Sequence, residues 1–189
     1  MSKLSGIRVV DLSLFLPGPM MTSMLADHGA EIIKIEPPGG DPARQMEPFE
    51  EGQSVWFRNI NRGKQSVVLD LKQKDNLQKL YRLVEESDIF VEAFRPGVAN
   101  RLEIDYETLS AINPRIIYCS ISAFGQDGPL AHHPAHDLAV EAFAGFMSVN
   151  DKGDGEPVVP AFPAADASAS LVALSGILMA LIGRERTGI

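Results

Sequence analysis

The sequence predicts an α/β protein with a Rossmann-like, mostly parallel sheet flanked by helices. Three observations predict it. Short β-branched runs alternate with amphipathic segments along most of the chain. Residues 7–36 read as strand, short helix, strand, a βαβ unit whose strands are parallel. Glycine and proline break the chain just after several strands, where open α/β sheets place their ligand loops. At 189 residues there is room for one well-buried domain and not for two large ones.

In order, residues 7–12 (IRVVDL) form the first expected strand, stopped by Pro17, Gly18 and Pro19, which can open a helix. Met20, Met21, Met24 and Leu25 recur at helical spacing up to a stop at Gly29, and residues 30–36 (AEIIKIE) make the second strand. Residues 37–52, with four prolines and three glycines, read as a long irregular surface loop. A third strand is expected at 66–71 (SVVLDL), and an amphipathic helix over 75–86 with Leu77, Leu80, Leu83 and Val84 on one face and Asp75 as its cap. Residues 88–94 form the fourth strand and 106–112 a short helix stopped before Pro114. The fifth strand, 115–122 (RIIYCSIS), is apolar enough to be central. Residues 138–149 read as a helix and 151–157 as a polar turn. A long helix of small and apolar residues then ends near Arg184.

The net charge of −8 argues against a nucleic-acid surface, so an anionic ligand would have to be met by local cations and helix N-termini. The single cysteine, Cys119, allows no internal disulfide framework, and its apolar setting predicts a buried, inert thiol. The N-terminus has no apolar leader region and no uninterrupted apolar run spans a bilayer, so a cytoplasmic protein without a membrane partner is expected.

Three groups of residues are candidates for chemistry. Asp166 stands at the mouth of the last helix, where aspartate is favoured as an N-cap and where the helix dipole keeps a carboxylate ionised; both cap and nucleophile remain open readings. His132, His133 and His136 share a loop, but H-H-x-x-H with one adjacent aspartate matches no zinc pattern, so no metal is expected. His136, beside Asp137 at a helix start, is the best placed of the three for a general base. Arg62, Lys64, Lys72, Arg95 and Arg101 lie in loops or near strand ends, from which they can converge on one anion. No GxGxxG pattern is present, which argues against a dinucleotide.

The stretches LSGIRVVDLS, PGP, LADHGAEIIKIEPPGGDPAR, NRGKQSVVLDLK, DIFVEAFRPG, NPRIIYCSISAFGQDGP and, after an aspartate, GILMALIGRERTG occur in the order seen in the class III CoA-transferases, the CaiB/BaiF family. The chain resembles that family over essentially its whole length. The resemblance implies an acyl-CoA donor, a carboxylic acid acceptor, coenzyme A as co-substrate and covalent catalysis by a carboxylate, with Asp166 at the nucleophile position. It implies CoA contacts at Phe15, Leu16 and Pro17, at Leu69 and Lys72, and at Phe94, Arg101 and Leu102. Some relatives carry an arginine where this chain has Pro37, and Arg44 is the candidate substitute. The family also contains α-methylacyl-CoA racemases, whose His–Asp pair resembles His136 and Asp166; the EPPGGDPAR stretch favours the transferases. Family members continue past RERTG into a smaller domain and back. Residues 1–189 are therefore expected to be the N-terminal part of the large domain, without the small domain and the C-terminal return. An interlocked homodimer is expected of the full-length protein, and weak or no turnover of this piece alone. The remaining alternative is a non-catalytic CoA-binding or interaction module.

Overall fold

The computed structural model describes residues 2–149, 153 and 155–188; much of the polar turn expected at 151–157 lies outside them. The main sheet has five strands: β1 (Arg8–Asp11), β2 (Glu31–Glu36), β5 (Lys64–Val68), β6 (Ile89–Glu92) and β7 (Ile117–Ser120), in the order β5-β2-β1-β6-β7. Every pairing is parallel. The chain builds outward from β1 through β2 to β5, then crosses back to lay β6 on the other side of β1. That reversal is the topological switch point of a doubly wound sheet, and it confirms the expected fold class.

Alternation along the strands sorts the core into two layers. Val9, Ile32, Ile89 and Val91 face α1 (Pro17–Asp27) and α7 (Ala164–Thr187), packing on Met21, Leu25, Ile177 and Leu181. Val10, Ile33, Ile35 and Phe90 face α3 (Lys74–Glu85) and α5 (Tyr106–Ile112), packing on Leu77, Leu80, Val84 and Leu109. Burial on both faces is what a parallel sheet requires, and it explains the nearly continuous apolar runs. Arg184, near the end of α7, is buried and reaches the carboxylate of Asp88 just before β6 at 2.7 Å, tying the last helix to the sheet.

Several expectations are corrected. β7 is an edge strand, not a central one; its apolarity reflects cover on both faces, with Ile117 and Cys119 against the α1/α7 layer and Tyr118 stacked on Phe90 at 5.4 Å. The loop 37–52 is partly ordered: Asp41 caps a 3-10 turn at Pro42–Gln45, and β3 (Phe49–Glu50) pairs with β4 (Gln53–Ser54). α2 (Val55–Ile60) follows, capped by Ser54. The third strand of the main sheet starts two residues before its expected position. Asp75 lies within the first turn of α3 and Gln73 holds the cap position. Beyond β6, α4 (Val98–Arg101) forms a single turn. The helix expected at 138–149 is α6 (Asp137–Phe143) followed, across Gly145 at positive φ, by a 3-10 turn at Phe146–Val149. α7 is long and apolar enough to cross a membrane by length and composition, contrary to the reading that no run is. Composition cannot separate such a span from this helix, which buries one stripe against the sheet and also carries Leu171, Val172, Met179 and Ile182 on its exposed side.

Glu36, at the end of β2, is almost fully buried. Burial alone would raise its carboxyl, but hydrogen bonds from Arg44 (2.8 and 2.6 Å), Ser66 (2.5 Å) and the Asp41 amide (2.8 Å) outweigh that and hold it at about 2. The stability this carboxylate confers is complete above its unfolded value of 4.5 and is lost as the pH falls through 2. Arg44→Ala leaves Glu36 with two donors in place of four. With Arg44 half-exposed, a loss of about 2 kcal/mol is expected, read as a lower denaturant midpoint at neutral pH whose deficit shrinks toward pH 2.

Candidate functional site

The C-terminal ends of the strands form one edge, and two hollows lie along it. The larger, about 410 Å³, is bounded by the loops after β1, β6 and β7, by the segment leading into α6, and by the first turns of α7. Phe15, Pro17, Arg95, His136 and Asp166 are on its wall. The smaller, about 150 Å³ and mostly apolar, lies between the ends of β1, β2 and β5; Leu69, Leu102 and Lys72 line it. Leu14 and Phe94 line both and form the partition.

The loop after β1 sets this edge. Asp11 accepts hydrogen bonds from the Ser13 amide (2.9 Å), the Ser13 hydroxyl and Thr22 Oγ1 (2.6 Å). Lys34 Nζ donates to the Ser13 carbonyl at 2.7 Å and pairs with Asp41 at 2.9 Å. Lys64 Nζ reaches Asp11 at 3.1 Å and the Pro19 carbonyl at 2.9 Å; burial pulls this lysine down to about 8 against the opposing pull of Asp11. Gly18 is required here because a Cβ would stand 2.2 Å from the Ser13 side chain. Phe15 is held at φ +60°, an uncommon conformation for so bulky a residue, with its amide 3.4 Å from Asp41.

Asp166 is the third residue of α7 and caps nothing; Pro163 holds the cap position. Two carboxylates from α6 serve the free amides of α7's first turn instead. Glu141 Oε1 accepts from the Ala164 amide at 2.7 Å and Asp137 Oδ1 from the Asp166 amide at 2.9 Å. The Asp166 carboxyl therefore rises to about 6, through burial first and then through the charges of Asp137 and Glu141, with His136 partly opposing. The expectation that the helix terminus lowers this group is overturned, because its dipole and donors are already engaged.

His136 precedes α6, its ring edge-to-face with Phe15 at 6.5 Å. His133 also lines the larger hollow and His132 does not; all three histidines are exposed. Among the described residues no cluster has the makings of a metal site. Of the expected contacts, Leu16 is buried ahead of α1 and Arg101 ends α4; neither lines a hollow. The five cations do not converge: Arg62 pairs with Asp27 on the surface and Lys64 is spent inside. Arg95 and Lys72 remain, one at each hollow. Arg44 is engaged by Glu36 and lies 3.9 Å over the Phe57 ring. Cys119 is half-buried where a buried thiol is expected, and burial still pushes it up to about 11, away from a reactive thiolate. The sequence reading missed Leu14 as a shared wall, and Glu141. Asp137 and Glu141 stand four apart, one helical turn, and that spacing was the available signal.

A doubly wound sheet with a ligand-sized hollow at its switch point, walled by a carboxyl and an imidazole, defines an α/β protein with its hollow where such sheets place their ligands. The sequence profile of CoA-transferase family III matches residues 4–189, and the chain belongs to that family. It is 46% identical over 97% of its length to an acetyl-CoA:oxalate CoA-transferase from Acetobacter aceti, covering 48% of that protein. It is 38% identical over its full length to a succinyl-CoA:glutarate CoA-transferase from Mus musculus, covering 44% of it. The crystal structure of a CAIB/BAIF family protein from Brucella suis superposes with a TM-score of 0.95 at 38% identity, over 99% of this chain and 51% of that one. The chain thus spans about half the length of the curated relatives it matches.

Titration of the carboxyl carbons by NMR, with Asp166 assigned through Asp166→Asn, should give a midpoint near 6 in place of the ordinary 3.8. A midpoint near 4 would show the site to be solvated.

Proposed function

We propose that the protein of which this chain forms part transfers coenzyme A between carboxylic acids through a covalent intermediate on Asp166. The observation that carries the reading is the position of Asp166: a half-buried carboxyl on the wall of the larger hollow, at the switch-point edge. The relatives' names supply the reaction class. The smaller hollow suits the adenine end of the cofactor, with apolar Leu69 and Leu102 for a ring face and Lys72 for phosphate. The thioester arm then passes Leu14 and Phe94 to reach Asp166.

In this reading the ionised Asp166 attacks the acyl-CoA carbonyl, the C–S bond breaks, and CoA thiolate leaves an acyl-aspartyl anhydride. The thiolate next attacks the aspartyl carbonyl, expelling the donor acid and leaving an aspartyl thioester. The acceptor carboxylate attacks that thioester to give a second anhydride, and the released thiolate takes the acceptor acyl group, restoring Asp166. A carboxylate with its pKa near 6 is a stronger nucleophile than an ordinary aspartate and is still mostly ionised at neutral pH.

Incubation of the full gene product with an acyl-CoA and hydroxylamine should place a hydroxamate on Asp166, detected by mass spectrometry and absent in Asp166→Ala. A label that survives that substitution would remove the proposal. Because only the ionised form attacks, labelling should fall about tenfold between pH 7 and pH 5.

A second reading rests on His136, which shares the hollow with Asp166. The two groups on opposite sides of an acyl-CoA α-carbon would exchange its proton, as in an epimerase. That reading expects α-deuterium incorporation from deuterated water without any acceptor acid, abolished in His136→Ala. Transfer that persists in His136→Ala without such exchange favours the first.

A further inference from the structure

Glu141, like Asp137, is a carboxyl near Asp166 that the proposed reaction does not use. It is 3% exposed, in the middle of α6, and α6 packs on α7. One oxygen accepts the Ala164 amide at 2.7 Å; the other is buried with no hydrogen-bond partner among the described residues. A buried carboxylate with one oxygen unpaired is costly. An amide at this position would offer the same oxygen to Ala164 without carrying the charge, so capping alone does not account for a glutamate.

We propose that Glu141 is a positioning residue for Asp166: it seats the first turn of α7 through the Ala164 amide, and its unpaired oxygen holds a negative charge behind the hollow. The proposal rests on the reading of Asp166 as the reacting group but is tested without it. The other titratable or charged groups around Asp166 are His136 and Asp137 on the α6 side and, on the hollow's wall, Arg95 and His133. Of the elements packed on α7, β7 turns Cys119 toward it, and α1 carries a charged residue only at its far end, Asp27. Burial raises Asp166 most; of the two charges that add to it Asp137 is the stronger, and Glu141 is the more deeply buried.

Two variants separate charge from seat. Glu141→Gln keeps an oxygen for Ala164 and removes the charge. Glu141→Met removes both at similar volume. Carboxyl-carbon NMR of the chain should show the Asp166 midpoint falling in both variants, by less than removal of the Asp137 charge would give, because Glu141 is the weaker of the two charges that raise it. Amide exchange at Ala164 should quicken only in Glu141→Met. A midpoint unmoved in Glu141→Gln overturns the proposal, as does failure of both variants to fold, which would leave Glu141 a structural role alone. If only one folds, its midpoint decides. The titration uses no acyl-CoA, so absence of the hydroxamate leaves this result standing, and a failure here leaves the hydroxamate test untouched.

Discussion

Two lysines and two aspartates, nearly sealed from solvent, hold the loop after β1, and the ligand edge takes its shape from that loop. Asp11 and Lys34 are register partners on neighbouring strands, and Lys64 and Asp41 complete the set. Such charges survive in an interior only when each is paired and hydrogen-bonded. Here every pairing also fixes a backbone atom of the loop or of the first turn of α1: the Ser13 amide and carbonyl, the Phe15 amide, the Pro19 carbonyl. Replacing the set with apolar residues would not hold the same backbone, because no methyl group can define where a carbonyl points. The network's contribution lies in that geometry more than in net stability, since buried pairs return little beyond their desolvation cost.

The layer architecture was legible in the sequence because period and punctuation are local. Strand, helix and strand over 7–36, the stripe of Leu77, Leu80 and Val84, and the prolines after β1 each follow from neighbours in the chain. Two of the misreadings involve partners far apart in sequence. β7 read as central because its apolar residues are covered by Phe90 and α7, which composition cannot distinguish from paired strands. Lys64 read as a ligand cation because Asp11, fifty-three residues away, is invisible to local inspection.

Asp166 shows the same division. Its place at the start of a helix was readable; its environment was not. The sequence suggested that the helix N-terminus would lower this carboxyl, and the structure gives that terminus to Asp137 and Glu141. Burial makes Asp166 more basic, and the two carboxylates at the free amides add to that where the dipole would have opposed it. A helix end thus has its effect on a neighbour only after its own caps have been counted.

The partition formed by Leu14 and Phe94 has a geometric consequence. Because the same two side chains bound both hollows, neither space can be enlarged by moving the wall without narrowing the other. The larger hollow also has walls it does not share: Arg95 and Pro96 after β6, residues 121–124 after β7, the loop before α6 and the small residues Ala165 and Ala169 on α7. Those positions can change without disturbing the apolar slot next door.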